Sequence, residues 1–257
     1  MSIGEKGNML IGAIVAGGTG RRMGTAVPKQ FLKLGDRIVL LRSVDAFLAC
    51  DEIDTIVIGV PKEWVTYTKQ LLDEAGYGGK RRRIRVTEGG VNRNETMWKM
   101  SEYAVEKLHA EEDAIMITHD AVRPFVTPEI IRRTCKMLLA SDDKTAVTAA
   151  IPATDTILRV NENKEVLEAP KRINMMQAQT PQTVYLGRWR KAYKKMTVAE
   201  REMRSDISGM YISAGYHVKV VDGDRTNMKI TTPEDYEIAQ RRVEAEKERA
   251  KESESNV

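Results

Sequence analysis

Short apolar runs alternate with stretches of helical spacing along most of this chain, and no other feature narrows its possible folds so far. Leu10-Ile-Gly-Ala-Ile-Val-Ala16 is strand-sized and apolar, the mark of a strand buried on both faces. Asp54–Val60, Arg83–Thr87, Ala114–Thr118 and Thr145–Ile151 are further strand candidates, and Pro61 and Pro152 close two of them. Between the strands, Leu41, Val44, Phe47 and Leu48 recur at helical spacing, as do Met97, Met100, Ala104 and Leu108. Strands alternating with helices call for right-handed crossovers and a mainly parallel sheet covered on both faces. Thr154–Val166 interrupts the rhythm and reads as a β-arm, with Asn161-Glu-Asn-Lys164 as its polar turn. Tyr216–Val221 reads as a later strand, and Pro233 opens a helix with Glu234 and Asp235 in its first turn. With no repeat and no linker, the chain divides into one domain over 1–240, its arm at about 152–172, and a charged tail over 241–257. The tail reads as a solvated, fraying helix.

Composition removes several classes of function. The 257 residues include two cysteines, Cys50 and Cys135, too few for a disulfide framework or a multi-cysteine zinc site. No stretch approaches the ~18 uninterrupted apolar residues of a membrane span. Met1-Ser-Ile-Gly-Glu-Lys6 lacks the apolar core of a signal peptide, so a cytoplasmic location without membrane contact is expected. Net charge is +4, from 41 Lys+Arg against 37 Asp+Glu, which is too balanced to indicate nucleic acid. The basic run Lys80–Arg83 with Arg85 has no interleaved aromatics and reads as a solvated loop.

The stretch Ala16-Gly-Gly-Thr-Gly-Arg-Arg-Met-Gly24 carries the chemistry. Glycines let a backbone approach a ligand closely and turn its N–H groups onto an anion, and a helix N-terminus following the loop would add positive charge. No Gly-Lys-Ser/Thr of a Walker A loop is present, and Met23 stands where a dinucleotide fingerprint needs its third glycine. Cations at Arg21, Arg22 and, after Pro28, Lys29 suit a polyphosphate. On spacing alone, a tight turn with surface arginines remains equally open. No Gly-x-Ser-x-Gly elbow or Cys/His pair offers a nucleophile. Phosphoryl transfer needs none, because it depends on positioning and charge neutralisation.

This loop with Pro28-Lys-Gln30 resembles the signature of sugar-phosphate and polyol-phosphate nucleotidyltransferases. Gly89-Gly-Val-Asn-Arg-Asn-Glu-Thr96, His119-Asp-Ala-Val-Arg-Pro124, Gln179-Thr-Pro-Gln182 and Asn227–Asp235 narrow the resemblance over about residues 10 to 240. Together they resemble the cytidylyltransferases that make CDP-ribitol from ribitol 5-phosphate or act on 2-C-methyl-D-erythritol 4-phosphate. Arg93–Thr96 and Ile117–Phe125 look closer to the ribitol branch. Arg204-Ser-Asp-Ile207 keeps Asp206 but has Ile207 where the methylerythritol branch carries a second acid.

The resemblance implies a single Rossmann-like α/β domain with a mainly parallel, helix-covered sheet and a protruding β-arm. It implies transfer of CMP from CTP to a polyol phosphate, D-ribitol 5-phosphate first and methylerythritol phosphate as the alternative, with Mg²⁺ or another divalent cation. Arg22 and Lys29 would stabilise the transition state at the α-phosphate. The backbone of Ala16, Gly17, Gly18 and Thr19 would hold the nucleotide. Gly90, Arg93, Asn94 and Thr96 would complete the base and ribose pocket, with Asp120 and Ala121 beside it and Asp120 facing the metal. Arg172 and Lys229 would grip the acceptor phosphate, with Thr156 as a lesser contact. The arm would be exchanged across a homodimer, so that Arg172 serves the partner. His119 reads as a structural hydrogen-bonder. A nicotinamide-dependent dehydrogenase and a catalytically silent nucleotide-binding module are the rival readings.

Overall fold

The computed structural model describes residues 7–18, 27–80, 83–203 and 206–255. Leu10–Val15 (β1), Thr55–Val60 (β2), Ile84–Glu88 (β3), Ile115–Asp120 (β4), Thr145–Pro152 (β5), Met176–Tyr185 (β6) and His217–Asp222 (β7) form a seven-stranded sheet. The strand order is β7-β5-β6-β4-β1-β2-β3. Every neighbouring pair is parallel except those made by β6, which runs antiparallel to both β4 and β5.

Side chains alternate across each strand, which fixes the two faces. On one face Leu10, Ile14, Ile56, Ile58, Ile115 and Ile117 meet Val44 and Phe47 of α1 (Val39–Leu48) and residues of α2 (Val65–Glu74). On the other, Ile11, Ala13, Val15, Val57 and Met116 meet Met97 and Met100 of α3 (Arg93–Leu108). Each of the Val, Leu, Ile, Phe and Met side chains among them contributes about 1.5–3 kcal/mol on burial. On the first face, α4 (Pro128–Leu139) adds Ile130, Ile131 and Leu138, with Thr127 as its N-cap. α5 (Leu186–Lys195) brings buried Trp189 to the second face, and α6 (Val198–Met203) and α7 (Ile207–Ser213) follow it.

The expected strands and helices are present, and the structure adds one strand to the main sheet. Met176–Tyr185 reads as polar in the sequence and carries Pro181, which argues against a central strand. Its pairing with β5 shifts register between Ala178 and Gln182, the kind of irregularity at which a proline is tolerated. Its buried polar groups find partners on the packed helix and across the sheet: Thr183 Oγ1 donates to Thr134 Oγ1 of α4 (2.7 Å), and Thr118 Oγ1 of β4 donates to the Gln182 carbonyl (3.0 Å). A second difference lies after the glycine loop. The next α-helix among the described residues begins only at Val39, beyond a 3₁₀ turn (Lys29–Phe31) and a small hairpin (Lys33–Leu34 with Arg37–Ile38).

α8 (Pro233–Ser255) runs unbroken through residue 240. Its Ala239 and Val243 join Leu34, Val39, Phe125 and Ile230 in a small third core. The arm leaves the sheet between β5 and β6 as a two-stranded hairpin, Arg159–Val160 with Val166–Glu168, and its side chains are exposed. Among the described residues no helix is long and apolar enough to cross a membrane.

The topology locates the site. From β1 the chain steps outward through β2 and β3, then returns to the other side of β1 as β4. Parallel sheets bind ligands outside the carboxyl ends of the strands at such a reversal.

Candidate active site

At that reversal, Ala16, Gly17 and Gly18 leave the end of β1. A Cβ on Gly17 would lie 2.8 Å from Thr96 Oγ1, so only glycine lets the loop pass. Thr96 in turn accepts from the Gly90 N–H (3.0 Å) and donates to the Asn92 carbonyl (2.8 Å). Asn92 caps α3 by accepting from the Glu95 N–H (2.9 Å), and Glu95 accepts from the Val91 N–H (2.9 Å). This double tie holds the 89–92 loop against the glycine loop.

Behind the glycine loop, the Lys29–Phe31 turn is anchored by Phe31, which stacks on Trp64 with ring centroids 4.8 Å apart. Lys29 is buried, and Gln30 is 1% exposed. The Gln30 amide nitrogen donates to the carbonyls of Ala16 (2.7 Å) and Gly18 (3.0 Å).

Asp120 ends β4 directly beside Val15. Its Oδ1 accepts from Arg93 Nε (2.9 Å), and its Oδ2 lies 2.8 Å from Lys229 Nζ. Burial alone would raise the Asp120 pKa, but Arg93, Lys229 and Arg123 outweigh it and hold the carboxyl well below the usual range. Arg93 also donates to Gln182 Oε1 (3.2 Å). His119 is wholly buried between Thr180 Oγ1 (2.9 Å) and the Arg123 carbonyl (3.1 Å). Burial pushes its pKa down to about 4, so it is a neutral structural group. Together the glycine loop, Lys29, Arg93, Asp120 and Lys229 line one cleft of about 280 Å³.

Glycine backbone, fixed cations and one shared carboxylate around a cleft suit a nucleoside triphosphate. Residues 10–245 match the family of 2-C-methyl-D-erythritol 4-phosphate cytidylyltransferase, IspD. The chain belongs to this family. It is therefore a nucleotidyltransferase, a CTP-dependent cytidylyltransferase. The chain is 26% identical to 4-diphosphocytidyl-2C-methyl-D-erythritol synthase of Anaerococcus prevotii, covering 93% of this chain and 99% of that one, with a TM-score of 0.74. It is also 26% identical to the IspD of Francisella tularensis, over 90% and 98% of the two chains, with a TM-score of 0.71. The Thermus thermophilus enzyme, 24% identical over 90% and 98% with a TM-score of 0.65, shares the fold. These matches favour the methylerythritol alternative over the ribitol branch that Arg93–Thr96 and Ile117–Phe125 suggested.

The structure gathers some of the IspD-like candidates and not others. Ala16, Gly17, Gly18, Lys29, Arg93, Asp120 and Lys229 line the cleft. Gly90 and Thr96 stand just behind its wall and set the loop that supplies Val91 and Asn92. Asn94 turns elsewhere, donating to the Arg201 carbonyl (2.8 Å). Ala121 is fully buried, and its N–H donates to the Val15 carbonyl. Thr156 and Arg172 sit exposed on the arm, where Arg172 donates to the Thr154 carbonyl (3.1 Å). Thr19 and Arg22 lie outside the described residues.

Enzymes of this family generally use a divalent metal. The residues here do not fit one held by protein alone. Among the described residues no group of three or more His, Cys, Asp or Glu could hold an ion. Asp120, expected to face Mg²⁺, is the cleft's single carboxylate among those residues, and both its oxygens are taken by cations.

Gln30, Gln182 and Arg123 carry the geometry without having been assigned a role from sequence. All three lay inside recognised motifs; what the sequence lacked was their burial and partners.

Proposed function

We propose that this chain transfers the cytidylyl group of CTP to 2-C-methyl-D-erythritol 4-phosphate. A phosphate oxygen of the acceptor attacks the α-phosphorus of CTP, the bond from that phosphorus to the bridging oxygen breaks, and pyrophosphate leaves. No enzyme adduct forms. The observation that carries this reading is the convergence of the Ala16–Gly18 backbone, Lys29, Arg93 and Lys229 on one cleft, around a single ionised Asp120. Lys29 and Arg22 would neutralise charge building on the transferring group, the effect that dominates phosphoryl transfer. Asp120 keeps Arg93 and Lys229 in place; Lys229 then faces the acceptor phosphate. The family match over residues 10–245 supports the choice of acceptor.

Ribitol 5-phosphate is the second reading, and one observation favours it. Asp206 is committed as the N-cap of α7, accepting from the Gly209 N–H (3.0 Å), and the following Ile207 is 1% exposed. No second carboxylate can reach an acceptor from that position. Pyrophosphate release from CTP, measured against a panel of polyol phosphates, decides between the two. Turnover with ribitol phosphate alone would move the assignment. CTP binding without any pyrophosphate would instead support the silent module.

The arm belongs to the same proposal. Leu158, Val160, Val166, Leu167 and Ile173 are exposed on it, and apolar surface on a projecting hairpin suits cover by a second copy. In such a homodimer Arg172 and Thr156 would complete the partner's cleft. A cytoplasmic location fits these substrates.

A further inference from the structure

We propose that Gln30 is a positioning residue for the nucleotide: its side-chain amide sets the orientation of the Ala16–Gly18 backbone that receives CTP. The inference rests on the cytidylyl-transfer reading and adds to it a residue that acts through the loop rather than on substrate.

The loop has a physical problem to solve. Two successive glycines can rotate their peptide planes at little steric cost, so an Ala-Gly-Gly segment has no intrinsic reason to keep its N–H groups aimed in one direction. Gln30 removes that freedom. A glutamine amide nitrogen carries two protons, and here one nitrogen reaches the carbonyls on either side of Gly17, at 2.7 and 3.0 Å. In a trans peptide the carbonyl and the following N–H point opposite ways. Holding the Ala16 carbonyl on Gln30 therefore turns the Gly17 N–H to the other side of the peptide, while the Gly18 carbonyl is held on the same nitrogen. The clamp also has a firm base. Gln30 is 1% exposed, and its neighbour Phe31 is held by Trp64 and by an edge-on contact with Tyr67 at 5.2 Å. Lys29 belongs to the same turn, so one anchor sets both the cation and the backbone cradle.

An amide is the group this job needs. An ionised carboxylate would face two carbonyl oxygens, and an apolar side chain would leave both carbonyls without their donor. The test uses Gln30→Met and Gln30→Glu in the full chain. Calorimetric titration with CTP is paired with pyrophosphate-release kinetics that separate the KM for CTP from the KM for the acceptor. The Met variant is expected to bind CTP about tenfold more weakly, with the acceptor KM within about twofold of the parent. The Glu variant should be weaker still above neutral pH and recover affinity as pH falls, because its protonated form regains one donor. The parent-to-Met ratio should stay flat over the same range. CTP affinity equal to the parent's in both folded variants would overturn the inference while leaving the cytidylyltransferase reading intact. So would CTP and acceptor constants that shift together, or a Glu variant insensitive to pH. If the Met variant does not fold, the pH response of the Glu variant carries the test. A parent chain that binds no CTP would end the reading and the inference together.

Discussion

Arg93–Asp120 in the cleft and Arg159–Glu168 on the arm are ion pairs of nearly equal length, 2.9 and 3.0 Å. Their surroundings differ. The cleft side chains are 18% and 10% exposed, and the arm's are 63% and 53% exposed. Water screens the arm pair and leaves it worth about 0–1 kcal/mol. The cleft pair has lost most of its water and is cross-tied to Lys229 and Gln182, so removing one partner strands a buried charge. Distance alone does not rank these contacts. The cleft pair is tied into a buried network, whereas the arm pair stands in water beside exposed apolar side chains.

The largest expected effect tests whether the two regions work on one reaction. Lys29→Ala and Arg172→Ala should each lower cytidylyl transfer by about 10³-fold, on the scale of cation loss in phosphoryl transfer. Mixing the two inactive chains should restore activity at about a quarter of the sites if the arm serves a partner's cleft, since each mixed dimer then holds one intact site. Absence of recovery after subunit exchange, with mixed dimers demonstrated by mass, would confine Arg172 to its own chain.

Asp120→Asn comes next. It should slow turnover about 10²-fold and cost about 3 kcal/mol by urea unfolding, because Arg93 keeps its burial and loses its countercharge. A loss under about 1 kcal/mol would mean that the cleft pair is no better insulated than the arm pair.

His119 sharpens the contrast through pH. Its native imidazole stays neutral down to about 4, whereas an unfolded histidine takes up a proton near 6.5. Protons therefore bind the unfolded chain first, and the stability tied to this group is whole above about 6.5 and drains as pH falls toward 4. Unfolding free energy should drop by about 2–3 kcal/mol across that window, and His119→Gln, though weaker overall, should lose that part of the slope.

The parallel core was legible because its strands are continuously apolar: Leu10–Val15 and Thr55–Val60 announce themselves without context. β6 was not, since Gln179, Thr180 and Gln182 become strand residues only when Thr148, Asn227 and Arg93 are there to pair with them. The same limit applies to the site. Motifs pointed to Lys29, Arg93, Asp120 and Lys229, each a charged group in a recognisable setting. Gln30 stood in the open in Pro28-Lys-Gln30, but its role depends on two carbonyls that the fold brings to it. Asn94 shows the reverse, a polar residue inside a motif whose partner, the Arg201 carbonyl, lies across the second face.

The smallest expected effect closes the comparison. Arg159→Ala removes an ion pair as short as the one in the cleft, yet it should change unfolding free energy by no more than about 0.5 kcal/mol. Added salt should leave the difference between the two chains smaller still, because exposed charges are screened within about 10 Å at 0.1 M. The measurement has to be made at two protein concentrations. A cost that stays small when the chain is dilute and grows when it is concentrated would place Arg159 under a partner, where desolvation turns a weak surface pair into one resembling Arg93–Asp120. A large cost at every concentration would contradict the exposure-based ranking itself, since Arg159 and Glu168 stand 63% and 53% exposed within the single chain.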